Sequence, residues 1–214
     1  MKKFLAALLA TLAASALLLP HSASAQGAAP VEGKQYKLLA KPQPTPPGKI
    51  EVIEFFWYGC VHCNAFAPTM KAWAARQKAD VVVKRVPVAF GPEYMPHNKI
   101  YYTLDVMKKL DVMHEKVFHA IFVDRKEMLD PNEIADVMAK NGLDRKQFLD
   151  TFNSFPVVTS AQRAPGLVDA YGIQGTPSVV IQGKYLTSPS IAGGAAQATQ
   201  TMDWLIDQIR KGKK

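Results

Sequence analysis

Two cysteines, Cys60 and Cys63, stand three positions apart and are the only two in the chain. The apolar run Ile50–Phe56 precedes them and is typical of a buried strand, and helix-forming residues follow from Ala65. We therefore expect Cys60 at a helix N-terminus, where unpaired N–H groups and the helix dipole stabilise a thiolate. Cys63, nearly one turn later, would be close enough to form a disulfide with it. The spacing predicts a pair that cycles between dithiol and disulfide.

The same cysteines allow other interpretations. A structural disulfide would close a very short loop, so its entropic contribution to stability would be small. A structural zinc ion would need two more ligands, and His114 and His119 are five positions apart, which does not place them on one face of a helix. A binding module or chaperone with merely structural cysteines is an alternative of another class. The strand–helix context favours the redox pair.

Residues 1–25 have the pattern of a cleaved signal peptide. A positively charged start is followed by the apolar stretch Phe4–Leu19 and by the small-x-small sequence Ala23-Ser24-Ala25. The apolar stretch is short for an uncleaved membrane anchor. We expect the mature chain to begin near Gln26 and to be exported to an oxidising compartment.

Composition narrows the class of protein further. The 214 residues are 48% hydrophobic and 21% charged, as in a globular protein that buries a proper core. Loss of Lys2 and Lys3 with the signal peptide lowers the formal net charge by two, from +8 to +6. The remaining positive charge is spread out, with no basic face interleaved with aromatic residues, so we expect no nucleic-acid partner.

Strand and helix patterns alternate along the first part of the chain. The strand at 50–56, a helix from Cys60 to about Lys78 and a second strand at 80–88 predict a parallel pair of strands. A further strand at 178–181 and a hairpin partner at 184–187 follow late in the sequence. A helix with apolar residues on one face ends the pattern.

Between these parts, helical periodicity replaces strand patterns. Asp130 and Asp144 have the positions of helix N-caps, and Asn141-Gly142 has that of a helix end. No segment of this region shows a convincing strand signal. We predict an α/β fold with a mixed central sheet, formed by residues 26–92 and 173–214 and interrupted by an all-helical insertion, residues 93–172.

With these motifs in place, the sequence resembles the DsbA family of periplasmic thiol:disulfide interchange proteins over essentially the whole mature chain. The resemblance implies a thioredoxin fold with an inserted helical domain. It implies donation of an active-site disulfide to newly exported proteins with free thiols, and reoxidation by a DsbB-like, quinone-linked membrane oxidase. It also implies a monomer whose Cys60–Cys63 disulfide is its only redox group, with no added cofactor and no metal.

The resemblance assigns roles to individual residues. Cys60 matches the exposed nucleophile, Cys63 the buried resolving thiol and His62 the histidine of the intervening dipeptide. Pro177 matches a cis-proline that faces the disulfide. We also expect Trp57 and Tyr58, which are close to the cysteines, to help contact apolar segments of substrates.

A buried pair, Glu54 with Lys84, matches the charged pair that the family places beneath its active site. Glu54 could accept or relay the proton of Cys63, or face a wet pocket, and its burial would be costly without a partner.

Two residues depart from the commonest pattern of the family. Val61 stands where enterobacterial members carry proline, and Thr176 stands before Pro177 where many relatives place valine. Thr-Pro at this point also resembles thioredoxins and disulfide isomerases. The alternative function is therefore a disulfide isomerase or reductase of the same fold, although the segment before Ile50 is too short for the extra dimerisation domain of known isomerases.

Overall fold

The computed structural model describes residues 28–212, so the predicted signal peptide, residues 1–25, lies outside the described part. Five strands form one mixed sheet in the order β1-β5-β4-β2-β3. β2 pairs with β3 in parallel and with β4 antiparallel, and β5 is antiparallel to both β4 and β1. The strands are β1 Lys37–Leu38, β2 Ile50–Phe56, β3 Val81–Pro87, β4 Ser178–Ile181 and β5 Tyr185–Thr187.

β2 lies between β4 and β3, and its side chains are buried along its whole length. Side chains alternate between the two faces of a strand. Ile50 and Val52 accordingly join one core cluster with α1 and the C-terminal helix, whereas Ile53 and Phe55 join another on the opposite face. Phe56, the last residue of β2, enters a third cluster that also contains Cys63. The strand therefore ends where the cysteines begin.

Helices cover both faces of this sheet. They are α1 Val61–Ala75, α2 Met95–Val106, α3 Leu110–Phe122, α4 Pro131–Lys140, α5 Arg145–Phe152, α6 Phe155–Ala170, α7 Pro189–Ala192 and α8 Ala195–Arg210. α1 connects β2 to β3, as the strand–helix–strand order predicts, and it ends three residues earlier than expected. No helix among residues 28–212 combines the length and apolar character needed to cross a bilayer.

The stretch from Pro92 to Ala170 is helical, as predicted, and contains no strand within the described residues. The side chain of Asp130 accepts hydrogen bonds from two N–H groups at the start of α4, and that of Asp144 accepts one at the start of α5. α6 returns to the sheet, where Ala164 packs against the face of Phe55. The predicted boundaries of a separate helical domain, 93 and 172, stay a prediction.

The C-terminal end of α1 is tied to α8. The indole of Trp73 donates to Asp203 at 2.7 Å, and the guanidinium of Arg76 donates to the other oxygen of the same carboxylate at 2.8 Å. Phe66 and Met70 of α1 share a buried cluster with Leu205 of α8. The helix that follows Cys60 is thus held by the last helix of the chain.

Candidate active site

Cys60 lies where β2 turns into α1. The Cys60 N–H donates to the Trp57 carbonyl at 3.0 Å, which closes a tight turn after the strand. Cys60 has extended backbone angles and is the N-cap of α1, so its sulfur accepts the otherwise unpaired N–H of Cys63 at 3.3 Å. The N-cap position predicted from the spacing is therefore found, occupied by a thiol instead of the usual hydroxyl or carboxylate.

These contacts make Cys60 an acidic thiol. The hydrogen bond from the Cys63 thiol lowers the pKa of Cys60 most; partial burial opposes it, and the Thr176 side chain and the N–H groups of Cys63 and His62 add to the lowering. The resulting pKa of Cys60 is about 5, against about 8.5 for a free cysteine. At neutral pH the group is a thiolate.

Cys63 has the opposite character. It is fully buried within the cluster at the end of β2. Burial, and then the hydrogen bond that it makes to the sulfur of Cys60, raise the pKa of Cys63 far above the ordinary range. The two sulfurs, which are not joined by a disulfide in this structure, therefore differ sharply in acidity: Cys60 is partly exposed and has a lowered pKa, whereas Cys63 is buried and has a raised pKa. Such a pair can form a mixed disulfide at Cys60 and resolve it with Cys63.

A cis peptide bond joins Thr176 to Pro177, which confirms the expected proline geometry. Pro177 is buried just before β4, and the Thr176 carbonyl is 3.4 Å from the Cys60 sulfur, close enough to accept the thiol proton. The loop that precedes β4 therefore lines one side of the reactive sulfur.

Val61 and His62 occupy the first turn of α1 and point away from the core. Val61 is 57% exposed and His62 is also exposed. Among residues 28–212, no hydrogen bond joins the His62 ring to the Cys60 sulfur. The contribution of the imidazole stays a prediction, whereas the backbone N–H of His62 helps to lower the pKa of Cys60.

The predicted pairing of Glu54 with Lys84 is wrong. Glu54 accepts a hydrogen bond from Arg85 at 2.8 Å, and the Glu54 side chain is 2% exposed. Lys84 instead pairs with Glu51, and the Lys84 side chain is 49% exposed. The register explains the error: Glu54 lies directly opposite Arg85 in the parallel pair, so Lys84 faces the other side of the sheet.

Burial raises the pKa of Glu54, and the charge and hydrogen bond of Arg85 only partly offset that effect. Glu54 lies between Val52 and Phe56 on the α1 face of β2. Among the described residues it is hydrogen-bonded to Arg85 and not to Cys63. A role in moving the Cys63 proton stays a prediction.

The expected substrate contact of Tyr58 is wrong, because its side chain is fully buried and its hydroxyl is 2.9 Å from His114 Nδ1. Trp57 is half-buried, and its indole donates to His97 Nδ1 at 3.0 Å. Both histidines lie on helices of the 92–170 stretch. Sequence reasoning assigned them no site, because nothing local marks a core histidine whose hydrogen-bond partner lies forty or more residues away.

Residues 28–212 contain no group of three or more histidine, cysteine or acidic side chains that could hold a metal ion. His114 lies in the core against Tyr58, and His119 is on the surface beside Asp124.

Comparison with known proteins gives concordant matches. The model of the DSBA-like thioredoxin domain matches residues 51–203. The thiol:disulfide interchange protein DsbA of Burkholderia cepacia is 40% identical over 215 residues, covering all of both chains. That of Bordetella parapertussis is 43% identical over 204 residues, 94% of each chain.

Solved structures agree with these sequences. The crystal structure of Pseudomonas aeruginosa DsbA matches with a TM-score of 0.81 at 39% identity, over 86% of this chain and 96% of that one. The oxidoreductase NmDsbA1 from Neisseria meningitidis matches with a TM-score of 0.78 at 27% identity, over 86% of this chain and 95% of that one. The thioredoxin-like α/β fold predicted from the sequence is confirmed.

Proposed function

Because the chain belongs to the DsbA family of thioredoxin-fold thiol:disulfide oxidoreductases, we propose that its disulfide-donating site is the Cys60–Cys63 pair, with Cys60 as nucleophile. The chain is a protein dithiol–disulfide oxidoreductase. The observation that supports the assignment of the site is the opposite ionisation of two adjacent thiols, one with a pKa of about 5 and the other raised by burial.

The reaction begins with the disulfide form. A substrate thiolate attacks the Cys60 sulfur, which is the exposed one of the pair; the bond between Cys60 and Cys63 breaks, and Cys63 takes the electron pair and a proton. The second substrate thiolate then attacks the substrate sulfur that is bonded to Cys60 in the mixed disulfide, and Cys60 is expelled. The substrate loses two electrons and two thiol protons. The protein gains both electrons but keeps one proton, on Cys63, because Cys60 leaves as a thiolate.

The direction of the reaction follows from this last step. The stabilisation of an anion at Cys60 exists only after reduction, since the disulfide carries no charge. The oxidised form is therefore relatively high in energy and readily passes its disulfide on. Cys60 is also the better leaving group when the mixed disulfide is resolved, because the thiol with the lower pKa leaves faster.

The cellular setting is part of the same proposal. The signal-like residues 1–25 and the DsbA relatives support a periplasmic protein that acts on exported chains with free thiols. Repeated turnover then needs an electron acceptor, for which we propose a DsbB-like membrane oxidase. The redox group is the protein's own pair of cysteines, so the reaction needs no cofactor, and one chain carries every residue of the site.

Stoichiometric oxidation of a reduced, unfolded substrate protein tests the assignment. The oxidised protein should convert one substrate dithiol per chain, and Cys60→Ser should convert none. Cys63→Ser should also convert none, because Cys60 alone cannot form the intramolecular disulfide that the reaction donates. Full oxidation by the Cys60→Ser variant would remove Cys60 from its role. An oxidised form that is more stable than the reduced form would favour the isomerase or reductase alternative.

A further inference from the structure

Four residues, Trp57 to Cys60, connect β2 to α1 in a single turn. The indole ring of Trp57 folds back over Gly59 so closely that a Cβ atom at Gly59 would meet a ring carbon. The backbone of Gly59 is outside the left-handed region, so glycine is needed here for space and not for its conformational freedom. The turn that ends at the reactive sulfur is therefore shaped by the position of one indole ring.

His97 of α2 fixes that ring. The Trp57 indole N–H donates to His97 Nδ1 at 3.0 Å, and the ring packs edge-on against Tyr94 with centroids 4.8 Å apart. No other hydrogen bond of the indole is present among residues 28–212. A side chain of the helical stretch therefore determines where the ring lies over Gly59.

The protonation of His97 follows from its partners. An indole N–H can only donate, so Nδ1 of His97 carries no proton and accepts. The ring proton is on Nε2, which donates to the Glu127 carbonyl at 3.0 Å. His97 is 3% exposed, and burial lowers its pKa, so the imidazole stays neutral and keeps its acceptor at neutral pH. Both nitrogens are thus occupied, and the ring cannot turn without breaking a hydrogen bond.

We propose that His97 is a positioning residue for the thiol–disulfide reaction: its Nδ1 holds the Trp57 indole on Gly59 and so fixes the turn that presents the Cys60 sulfur to its N–H donors. This inference rests on the proposed role of Cys60. Without the acceptor, the indole leaves Gly59 and the turn gains freedom. The hydrogen bond from Cys63 N–H to the sulfur, already long at 3.3 Å, is then broken for part of the time, and the thiolate loses stabilisation.

Two substitutions at His97 separate the acceptor from the bulk of the ring. His97→Phe keeps an aromatic ring and removes the acceptor, whereas His97→Asn keeps an acceptor oxygen near the position of Nδ1 and removes the ring. We expect His97→Phe to lower the acid dissociation constant of Cys60 about tenfold, the value of one hydrogen bond to a charged group. We expect His97→Asn to stay within about twofold of the parent protein.

Ultraviolet absorbance of the thiolate measures the acid dissociation constant of Cys60. The equilibrium constant for reduction of the Cys60–Cys63 disulfide by glutathione should fall in His97→Phe as well. The indole N–H resonance of Trp57, assigned with Trp57→Phe, should shift in His97→Phe and remain near its place in His97→Asn. His119→Phe is the matched control, because His119 is an exposed histidine of the same helical stretch. It should leave all three measurements unchanged.

A second route does not alter His97. Gly59→Ala should displace the indole and raise the Cys60 pKa in the parent protein, but it should add nothing in a Trp57→Ala background. An unchanged Cys60 pKa in both His97→Phe and Gly59→Ala would overturn the inference. A larger rise of the Cys60 pKa in His97→Asn than in His97→Phe would overturn it as well. An ordinary alkaline Cys60 in the parent protein would instead overturn the proposed function, so the two failures are distinct.

Discussion

Reduction of the cysteine pair should stabilise the fold by an amount that depends on pH and is largest near pH 8.5. The oxidised protein has no thiol to titrate, so the difference between the two unfolding free energies isolates the cysteines. In the unfolded dithiol both thiols have pKa values of about 8.5. In the folded dithiol the Cys60 pKa is about 5, and burial raises the Cys63 pKa far above its usual value.

The sign follows from counting protons. Between pH 5 and 8.5 or so, the unfolded dithiol binds both protons and the folded one binds only that of Cys63, so the reduced fold gains stability as pH rises. Above about pH 8.5 the unfolded chain loses both protons while the folded chain keeps one, so the gain declines again. Below about pH 5 both states are fully protonated, and the pH-dependent contribution is absent.

The magnitude has an upper limit. A fall of the pKa from about 8.5 to about 5 corresponds to at most about 5 kcal/mol. The Cys60 sulfur is partly exposed, and solvent screening reduces this, so we expect roughly 2–4 kcal/mol at the maximum. Denaturant unfolding of both redox forms, from about pH 4 to about pH 10, measures the difference.

Cys60→Ser is the matched control, and its free energy of unfolding is measured at each pH. It should abolish the rise below about pH 8.5 and leave the decline above it, which belongs to Cys63. The free energy of unfolding of the reduced protein minus that of the oxidised protein should rise with pH below about pH 8.5. If this difference is flat or falls there, the assignment of an acidic thiol to Cys60 is refuted.

Three further predictions concern stability and use the same unfolding assay on the oxidised protein. Arg85→Met leaves the Glu54 carboxylate buried without its cation and should cost about 2–4 kcal/mol at neutral pH, with a smaller loss in acid. Lys84→Met removes the cation of Glu51, whose side chain is only 5% exposed, but Lys84 itself is 49% exposed, so solvent can reach the place it leaves and the loss should be smaller than for Arg85→Met. Equal losses would contradict the observed pairing. Asp130→Ala removes the cap of α4 and should cost about 1 kcal/mol, whereas no loss would mean that water replaces the cap. Val61→Pro falls at the first residue of α1 and should change stability by less than about 1 kcal/mol; a larger loss would mean that the N–H of Val61 is needed.

Local patterns allowed the position of the reactive sulfur to be predicted from sequence. A buried strand, a tight turn and a helix place Cys60 at the N-cap whatever the rest of the chain does, because the geometry is set within a dozen residues. Asp130 and Asp144 were recognisable as caps for the same reason. The order strand–helix–strand was likewise enough to predict the parallel pairing of β2 with β3.

Interactions that depend on register could not be predicted in this way. Glu54 was recognised as a buried acid in need of a partner, but Lys84 and Arg85 are adjacent cations, and a shift by one residue exchanges the face of the sheet. Tyr58 was misplaced because proximity to a reactive cysteine says nothing about which way a side chain points. His97 carries no local signal, since its partner Trp57 lies forty positions earlier.

The contact of α1 with α8 has a consequence for how the chain matures. Trp73 and Asp203 are separated by 130 positions, and a polypeptide that crosses a membrane N-terminus first delivers the cysteines long before Asp203. Until α8 arrives, α1 lacks the partner that covers Phe66 and Met70, and the sheet lacks β4 beside β2. Under the proposed export, the contact of Cys60 with Thr176 and the support of α1 by α8 are therefore acquired only near the end of translocation, and a half-delivered molecule lacks part of what makes Cys60 acidic.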